Sequence, residues 1–358
     1  MADNFLYSTK VEANHPLFGK FEHPIRAILT DESDAQEKKK GTLNFLYNVE
    51  KSSKYSETIF GETGFKPFTY KAEGEKADKD TIALTYHKTI YHKSYAKTFE
   101  ITKEMAEDAT PGVASPIMKS RPRGFMQAYY RTRHQLGEMA LANGTATGFE
   151  FGAVDINDAV IDTTTGDGLP LFSGVHTFKN TAVRGTQSNF FHGLNLKNAA
   201  GEYSTGALEE YLAELAIKLR NFKDENGNPL AYIADTIILP GNRGKLERLV
   251  KTVVGSENTT GSGNNDINIQ YGNWSLVVLP NWQAAEDEFM LMSSDANKTL
   301  MGNMFFQRDE LSIMSEINTE TRNMLYNGFA RFGCGFGTWK HILRATASKE
   351  QVGTSTEL

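Results

Sequence analysis

The residue types that can do chemistry are scattered along this chain without a constellation. Ser173 and His176 stand three apart in Leu169-Pro170-Leu171-Phe172-Ser173-Gly174-Val175-His176. A serine hydrolase sets its nucleophile on a Gly-x-Ser-x-Gly elbow and brings its histidine from later in the chain. This segment does neither, so a structural turn is the expected role and a Ser/His hydrolase a remote alternative. His87 and His92 are five apart in a strand-like stretch, which puts them on opposite faces and suits one metal ion poorly. Asp155, Asp158, Asp162 and Asp167 lack the spacing of a calcium loop. Gly333, Gly335 and Gly337 alternate, but no Lys-Ser/Thr pair follows and Trp339 is bulky there. Glycines at alternate strand positions mean close backbone approach instead. No catalytic site, cofactor or metal is expected.

Charge is more informative. Between Ala109 and Gly137 the chain holds Lys119, Arg121, Arg123, Arg131 and Arg133 and no acid, although its net charge is −6. The overall charge argues against a generic nucleic-acid binder. The local patch has two readings. Its cations either pair with acids elsewhere in the assembly, or face polyphosphate, where they displace condensed counterions. No base-reading motif interleaves with them, so such a contact would be independent of sequence.

The 358 residues suffice for two or three compact regions. Hydrophobic residues make up 39%, and the 22 Phe and 14 Tyr are too many for a disordered chain. The single cysteine, Cys334, excludes an internal disulfide framework and a multi-thiolate metal site. It fits maturation in a reducing compartment. No apolar run is long enough to span a membrane, and the first residues lack a secretion-signal pattern.

Residues 1–41 read as an arm without sustained period, ending in the charge run Asp31 to Lys40, which is expected to be solvated. Such an arm needs another surface to hold it. Ile82, Leu84 and Tyr86 alternate with polar residues and pass into Ile90, which predicts a strand. Tyr55 to Tyr70 supplies its partner, with Ile59, Phe60, Phe65 and Phe68, and Ala72 to Asp80 is the turn. A hairpin of roughly eighteen residues a side reaches about 60 Å. An isolated ribbon of that kind is marginal in water. It either packs on its own domain or lies on a neighbouring subunit through Ile59, Phe60, Phe65, Phe68, Ile82, Leu84 and Tyr86.

Further along, Thr102 suits a helix cap. A long helix is expected from Pro122, a residue favoured in a first turn, to Asn143-Gly144. Residues 150–300 read as an α/β region. Leu208, Leu212, Leu215 and Leu219 stripe one helix, Leu246, Leu249, Val250 and Val253 a second, and Thr236–Pro240 is a buried strand. Ile267 to Tyr271 reads as a further strand. Beyond residue 300 the pattern is β-rich, and residues 347–358 read as a loose polar tail.

The order of these segments carries a resemblance. A long polar hairpin precedes Thr98-Phe99-Glu100-Ile101-Thr102-Lys103-Glu104-Met105-Ala106-Glu107-Asp108 and a long helix ending Leu141-Ala142-Asn143-Gly144. Pro170-Leu171-Phe172-Ser173-Gly174-Val175-His176 follows, and the chain closes on Ala330-Arg331-Phe332-Gly333-Cys334-Gly335-Phe336-Gly337-Thr338-Trp339-Lys340. Over roughly residues 45–345 this resembles tailed-bacteriophage major capsid proteins of the Hong Kong 97 type (HK-97-like), particularly Mu-like head subunits. The resemblance implies an α+β fold of six segments. These are an N-terminal arm (1–41), an extended-loop hairpin overlying a neighbour (42–100), a peripheral domain with a spine helix (101–149), an axial domain (150–300), returning strands (301–346) and a tail (347–358).

It also implies hexamers and pentamers of an icosahedral virion shell around double-stranded DNA, assembled in the bacterial cytoplasm, with no enzymatic activity and no membrane. The spine helix would lie towards the genome, in keeping with the cation patch. The stretch before the hairpin is too short for a fused scaffold, so separate scaffold, protease and portal proteins are expected, unless the chain is already processed. Lys66, Lys71, Lys76 and Lys79 could in principle cross-link, but no motif singles one out and no covalent link is expected. An encapsulin-like compartment of similar fold is the nearer alternative.

Overall fold

The computed structural model describes residues 5–12, 15–39, 41–80, 82–108, 116–152, 160–180, 183, 185–257, 268–349 and 356–357. Two mixed sheets and their helices give the α+β architecture that the sequence implied.

The first sheet is built on two long antiparallel strands, Asn303–Ile317 and Met324–Phe336. Lys93–Ile101 extends it on one side, with Phe329 opposite Ala96. On the other side Leu6–Thr9 and Asn48–Lys51 both run parallel to Asn303–Ile317, each on a different half of it. Aromatic rings fill one face. Tyr95 stacks on Phe332 at 4.2 Å and Phe99 on Tyr326 at 4.6 Å. Across them lies the long helix Pro116–Ala142, which buries Phe125, Met126, Tyr130, Leu136 and Ala140. Gly328 admits Phe125 here, since a Cβ would stand 2.3 Å from the ring.

The long helix begins six residues before the expected Pro122. Pro116 takes the first helical position, so the preference of proline for helix starts holds, at the earlier proline. Pro122 sits in the interior, at the cost of one backbone hydrogen bond.

The arm also departs from expectation. Gly19–Lys38 is a helix of 20 residues, and the charge run Asp31–Lys38 forms its last two turns. Ile25, Leu29 and Ser33 recur every four residues and are buried against the long helix. A serine in the third buried position and Pro24 inside the element hid this period. The Ser33 hydroxyl meets that of Tyr130 at 2.9 Å. The surface that the arm needs is therefore its own chain.

The second sheet runs in the order Ser275–Leu279, Thr236–Pro240, Glu288–Met292, Ile342–Thr346, Phe190–His192, Thr356–Glu357. Helices Thr205–Arg220 and Gly244–Gly255 bury the two leucine-rich stripes read from sequence. Ser204 caps the first through the Ala207 N–H. The expected strand at Ile267 to Tyr271 is not one. Residues 269–272 are turn, held by the Asn268 amide on the Ser256 carbonyl at 2.8 Å, and Ile267 lies outside the described residues. Nor is the tail wholly loose, because Thr356–Glu357 pairs with Phe191–His192.

Candidate assembly surfaces

Ser56–Glu62 and Leu84–Tyr91 form the hairpin, from Ser56 opposite Tyr91 to Phe60 opposite His87. The regular ladder is shorter than expected. It ends at Glu62 and Leu84, Ile82 lies beyond it, and Thr81 is outside the described residues. Distally, the Thr63 N–H donates to the Ala83 carbonyl and the Lys66 N–H to Asp80. Gly74, at φ 84°, turns the chain.

The root of the hairpin is anchored on its own body. Ile59 and Ile90 are buried with Met304 and Phe306. Gly333 and Gly335 make this possible, for a Cβ on Gly333 would stand 2.5 Å from the Tyr91 carbonyl and one on Gly335 2.8 Å from Ile90. The alternating glycines thus serve close approach, as their spacing implied. Lys88 is buried and donates to Asp162 and Thr164. Burial opposes ionisation of Asp162, but the hydrogen bonds from Lys88 and Thr164 prevail and hold its carboxyl below the usual range. Tyr86 reaches the Thr177 hydroxyl at 3.3 Å, and Lys179 donates to the Thr85 carbonyl. Higher up, the Asn226 amide donates to the Gly64 carbonyl at 2.7 Å. A groove of about 650 Å³ runs beneath the stem, between Ile59–Gly64 and Gly337–Lys340.

This divides the expected contact residues. Ile59 is consumed by the chain's own core, and Tyr86 is half-buried against the Thr177 loop. Phe60, Phe65, Phe68, Ile82 and Leu84 are exposed, as is Tyr70. Phe68 and Tyr70, at 106% and 94% exposure, touch almost nothing. Burying such a side chain is worth about 1.5–3 kcal/mol, and soluble monomers rarely leave so many together in water.

The five cations of the long helix likewise separate. Lys119, Arg123 and Arg131 are exposed, the first two one helical turn apart. Arg123 approaches Glu32 of the arm helix at 3.4 Å. Arg121 turns to the opposite side, where it donates to the Glu100 carbonyl. Arg133 is buried under the arm and cannot face a genome. Sequence could not separate them, because the arm helix that covers Arg133 was itself not foreseen.

His176 holds Asp167 at 2.7 Å and the Thr165 hydroxyl donates to the same carboxylate, but among the described residues no serine or cysteine is bonded to either. Its other ring nitrogen meets Asn189 Oδ1 at 3.2 Å, and the Ser173 hydroxyl accepts from the Val175 N–H. The ring is fully buried and stacked on Trp339 at 4.4 Å. Burial disfavours the Asp167 charge, but the hydrogen bond and charge of His176, with the hydrogen bonds from Thr165 and the Leu169 N–H, together prevail and keep that carboxyl low. Burial also pushes the Cys334 thiol up to about 12, which leaves it inert near neutrality. His87 lies exposed against Phe60, whereas His92 is buried on the Tyr55 carbonyl. Asp155 and Asp158 lie outside the described residues. Among the described residues no group of His, Cys, Asp and Glu could hold a metal, and no helix is long and apolar enough to cross a membrane.

Neither a protein-family model nor a curated protein sequence matches this chain. Solved structures do. The capsid structure of the cyanophage P-SCSP1u is similar over 86% of this chain and 88% of that one, at a TM-score of 0.50 and 11% identity. The capsid of the native GTA particle, computed with C5 symmetry, is similar over 86% and 90%, at a TM-score of 0.51 and 10% identity. At such identities the likeness is one of fold, and the fold is that of the HK97-type capsid proteins. These structures do not bear on the finer likeness to Mu-like subunits.

Proposed function

We propose that this chain is the major capsid subunit of a tailed phage, and that it closes into hexamers and pentamers of an icosahedral shell around double-stranded DNA. One observation carries the reading beyond the fold. A two-stranded ribbon holds Phe60, Phe65, Phe68, Tyr70, Ile82 and Leu84 in solvent while its root is fixed to the body. Those side chains gain burial only on another surface, so ordering of the tip is coupled to association. Heterologous contacts of this type close rings, each of about 1,600 Å² or more.

In this reading residues 1–41 are the arm, 42–100 the extended loop, 101–149 the peripheral domain, 150–300 the axial domain, 301–346 the returning strands and 347–358 the tail. The strands Asn48–Lys51 and Lys93–Ile101 both belong to the first sheet, so the projecting part is the stretch between them, beyond its root at Ile59 and Ile90. Lys119, Arg123 and Arg131 offer a sequence-independent face to packaged DNA. The role is assembly rather than catalysis, with no cofactor and no membrane. Scaffold, protease and portal proteins are separate chains, and assembly takes place in the bacterial cytoplasm before the shell becomes part of the virion.

Negative-stain microscopy of the purified chain tests the reading. Closed shells, with nuclease-protected DNA in particles from infected cells, are expected. Shells filled with enzyme cargo would favour the encapsulin-like compartment. A chain that stays monomeric at high concentration, with its ribbon protected from exchange, would overturn the proposal.

A further inference from the structure

Arg133 poses a problem of charge. Its side chain is buried between the long helix and the arm, at 9% exposure, and its Nε has no hydrogen-bond partner. Among the described residues no carboxylate comes within ion-pair distance of it. The guanidinium lies 5.7 Å from the Tyr129 ring, 5.9 Å from Tyr130 and 5.6 Å from Phe305. Such ring contacts are weak beside the cost of taking a cation out of water. An arginine cannot escape by losing its proton.

Beside it is a cavity of about 30 Å³, walled by Gln36, Glu37, Lys39, Asn44, Arg133 and His134. One water needs about 10–15 Å³, so the space takes a single small ion or a pair of waters and no sugar phosphate. The wall carries donors: the guanidinium, the Lys39 ammonium and the Asn44 amide, while the Gln36 amide already donates to Glu32 at 2.7 Å. His134 Nδ1 is buried there and also lacks a partner. Burial and the adjacent Arg133 hold the His134 imidazole below its usual range, so near neutrality it adds no second charge but can still donate. The acid on the wall, Glu37, already accepts from the Tyr130 hydroxyl at 3.0 Å.

We infer that this cavity binds a small monovalent anion of chloride size, which neutralises Arg133 and fastens the end of the arm helix to the long helix. The anion supplies the missing acceptor, and Lys39 reaches it from the end of the arm helix while Arg133 and His134 reach it from the long helix.

Chloride-35 NMR of the purified full chain tests this. Wild-type protein broadens the chloride resonance, added bromide narrows it again, and Arg133→Met loses the excess broadening. Arg131→Gln, which alters an exposed cation on the same helix, keeps it. Equal broadening in wild type and Arg133→Met overturns the inference and leaves the cavity to water. Should Arg133→Met fail to fold, wild-type crystals grown in bromide decide the matter. An anomalous peak beside Arg133 upholds the site, and its absence overturns it.

Discussion

Arg344 places both Nε and Nη2 on one carboxylate oxygen of Glu288, at 3.0 and 2.7 Å, on adjacent strands of the second sheet. Both side chains are buried. The third guanidinium nitrogen donates to the carbonyl of Ala142, the last residue of the long helix, at 2.9 Å. The Trp282 ring lies 4.9 Å from the guanidinium carbon. One ion pair therefore ties the second sheet to the helix that spans the first.

Breaking such a pair from one side leaves a charge stranded in the interior, at a cost of about 3–5 kcal/mol. Arg344→Met should accordingly lower the urea midpoint of the subunit sharply, and Glu288→Gln somewhat less, because Gln can still accept from the guanidinium. The double change Arg344→Met with Glu288→Met should recover much of the loss, since it strands nothing. If the double variant is as unstable as the sum of the singles, the pair acts through something other than its charges.

Gly333 lies under the hairpin root with no room for a methyl group, and what it faces is the Tyr91 backbone rather than a flexible side chain. Gly333→Ala should cost about 1–3 kcal/mol by overpacking. It should also loosen the ribbon before the rest of the subunit. Hydrogen exchange at Thr58 to Phe60 measures this, with faster exchange expected there than in the helix Thr205–Arg220.

Those glycines were legible from sequence, as were the two leucine stripes of the second body and the Thr102 cap, because each depends on local spacing. What sequence withheld depends on contacts between distant segments. The arm helix has a buried serine where a stripe needs an apolar residue, and Ser33 is acceptable only because the Tyr130 hydroxyl is waiting for it. Arg133 reads the same as Arg131 until that helix covers it. Ile59 and Phe60 are neighbours in one alternating run, and only the position of Phe306 decides which of them is core.

His341 is fully buried, with Nε2 2.7 Å from Asn303 Oδ1, and burial pushes its pKa down to about 3. Unfolded, the imidazole titrates near 6.5. Between those values the unfolded chain binds the extra proton. This contribution to stability is therefore full above about pH 6.5 and is lost as pH falls, at roughly 1.4 kcal/mol per unit. His134 acts with the same sign. Asp162 and Asp167, held below the usual carboxylate range, add their losses only below about pH 4. His341→Gln should thus flatten the fall in stability between about pH 6.5 and 4.5 by one proton's worth, measured by urea midpoints across that range. An unchanged slope would mean that the folded protein accommodates a charged ring at this position.

Phe65 and Phe68 make the sharpest division between folding and assembly. Both are exposed on the distal ribbon, with no part in the buried clusters of the chain. Replacing both by Ser should move subunit stability by no more than about 0.5 kcal/mol, as expected of surface positions. In a shell the same change would remove roughly 1.5–3 kcal/mol of burial per side chain at every contact, enough to raise the concentration needed for assembly at least tenfold. Sedimentation of the purified double variant across a concentration series reads that threshold, and a melt of the dissociated subunit reads the fold. The control is Ile59→Ser, which attacks the root and should damage the subunit itself, because Ile59 is buried with Met304 and Phe306. If the Phe65/Phe68 variant assembles at the wild-type threshold, the ribbon tip is not a subunit contact.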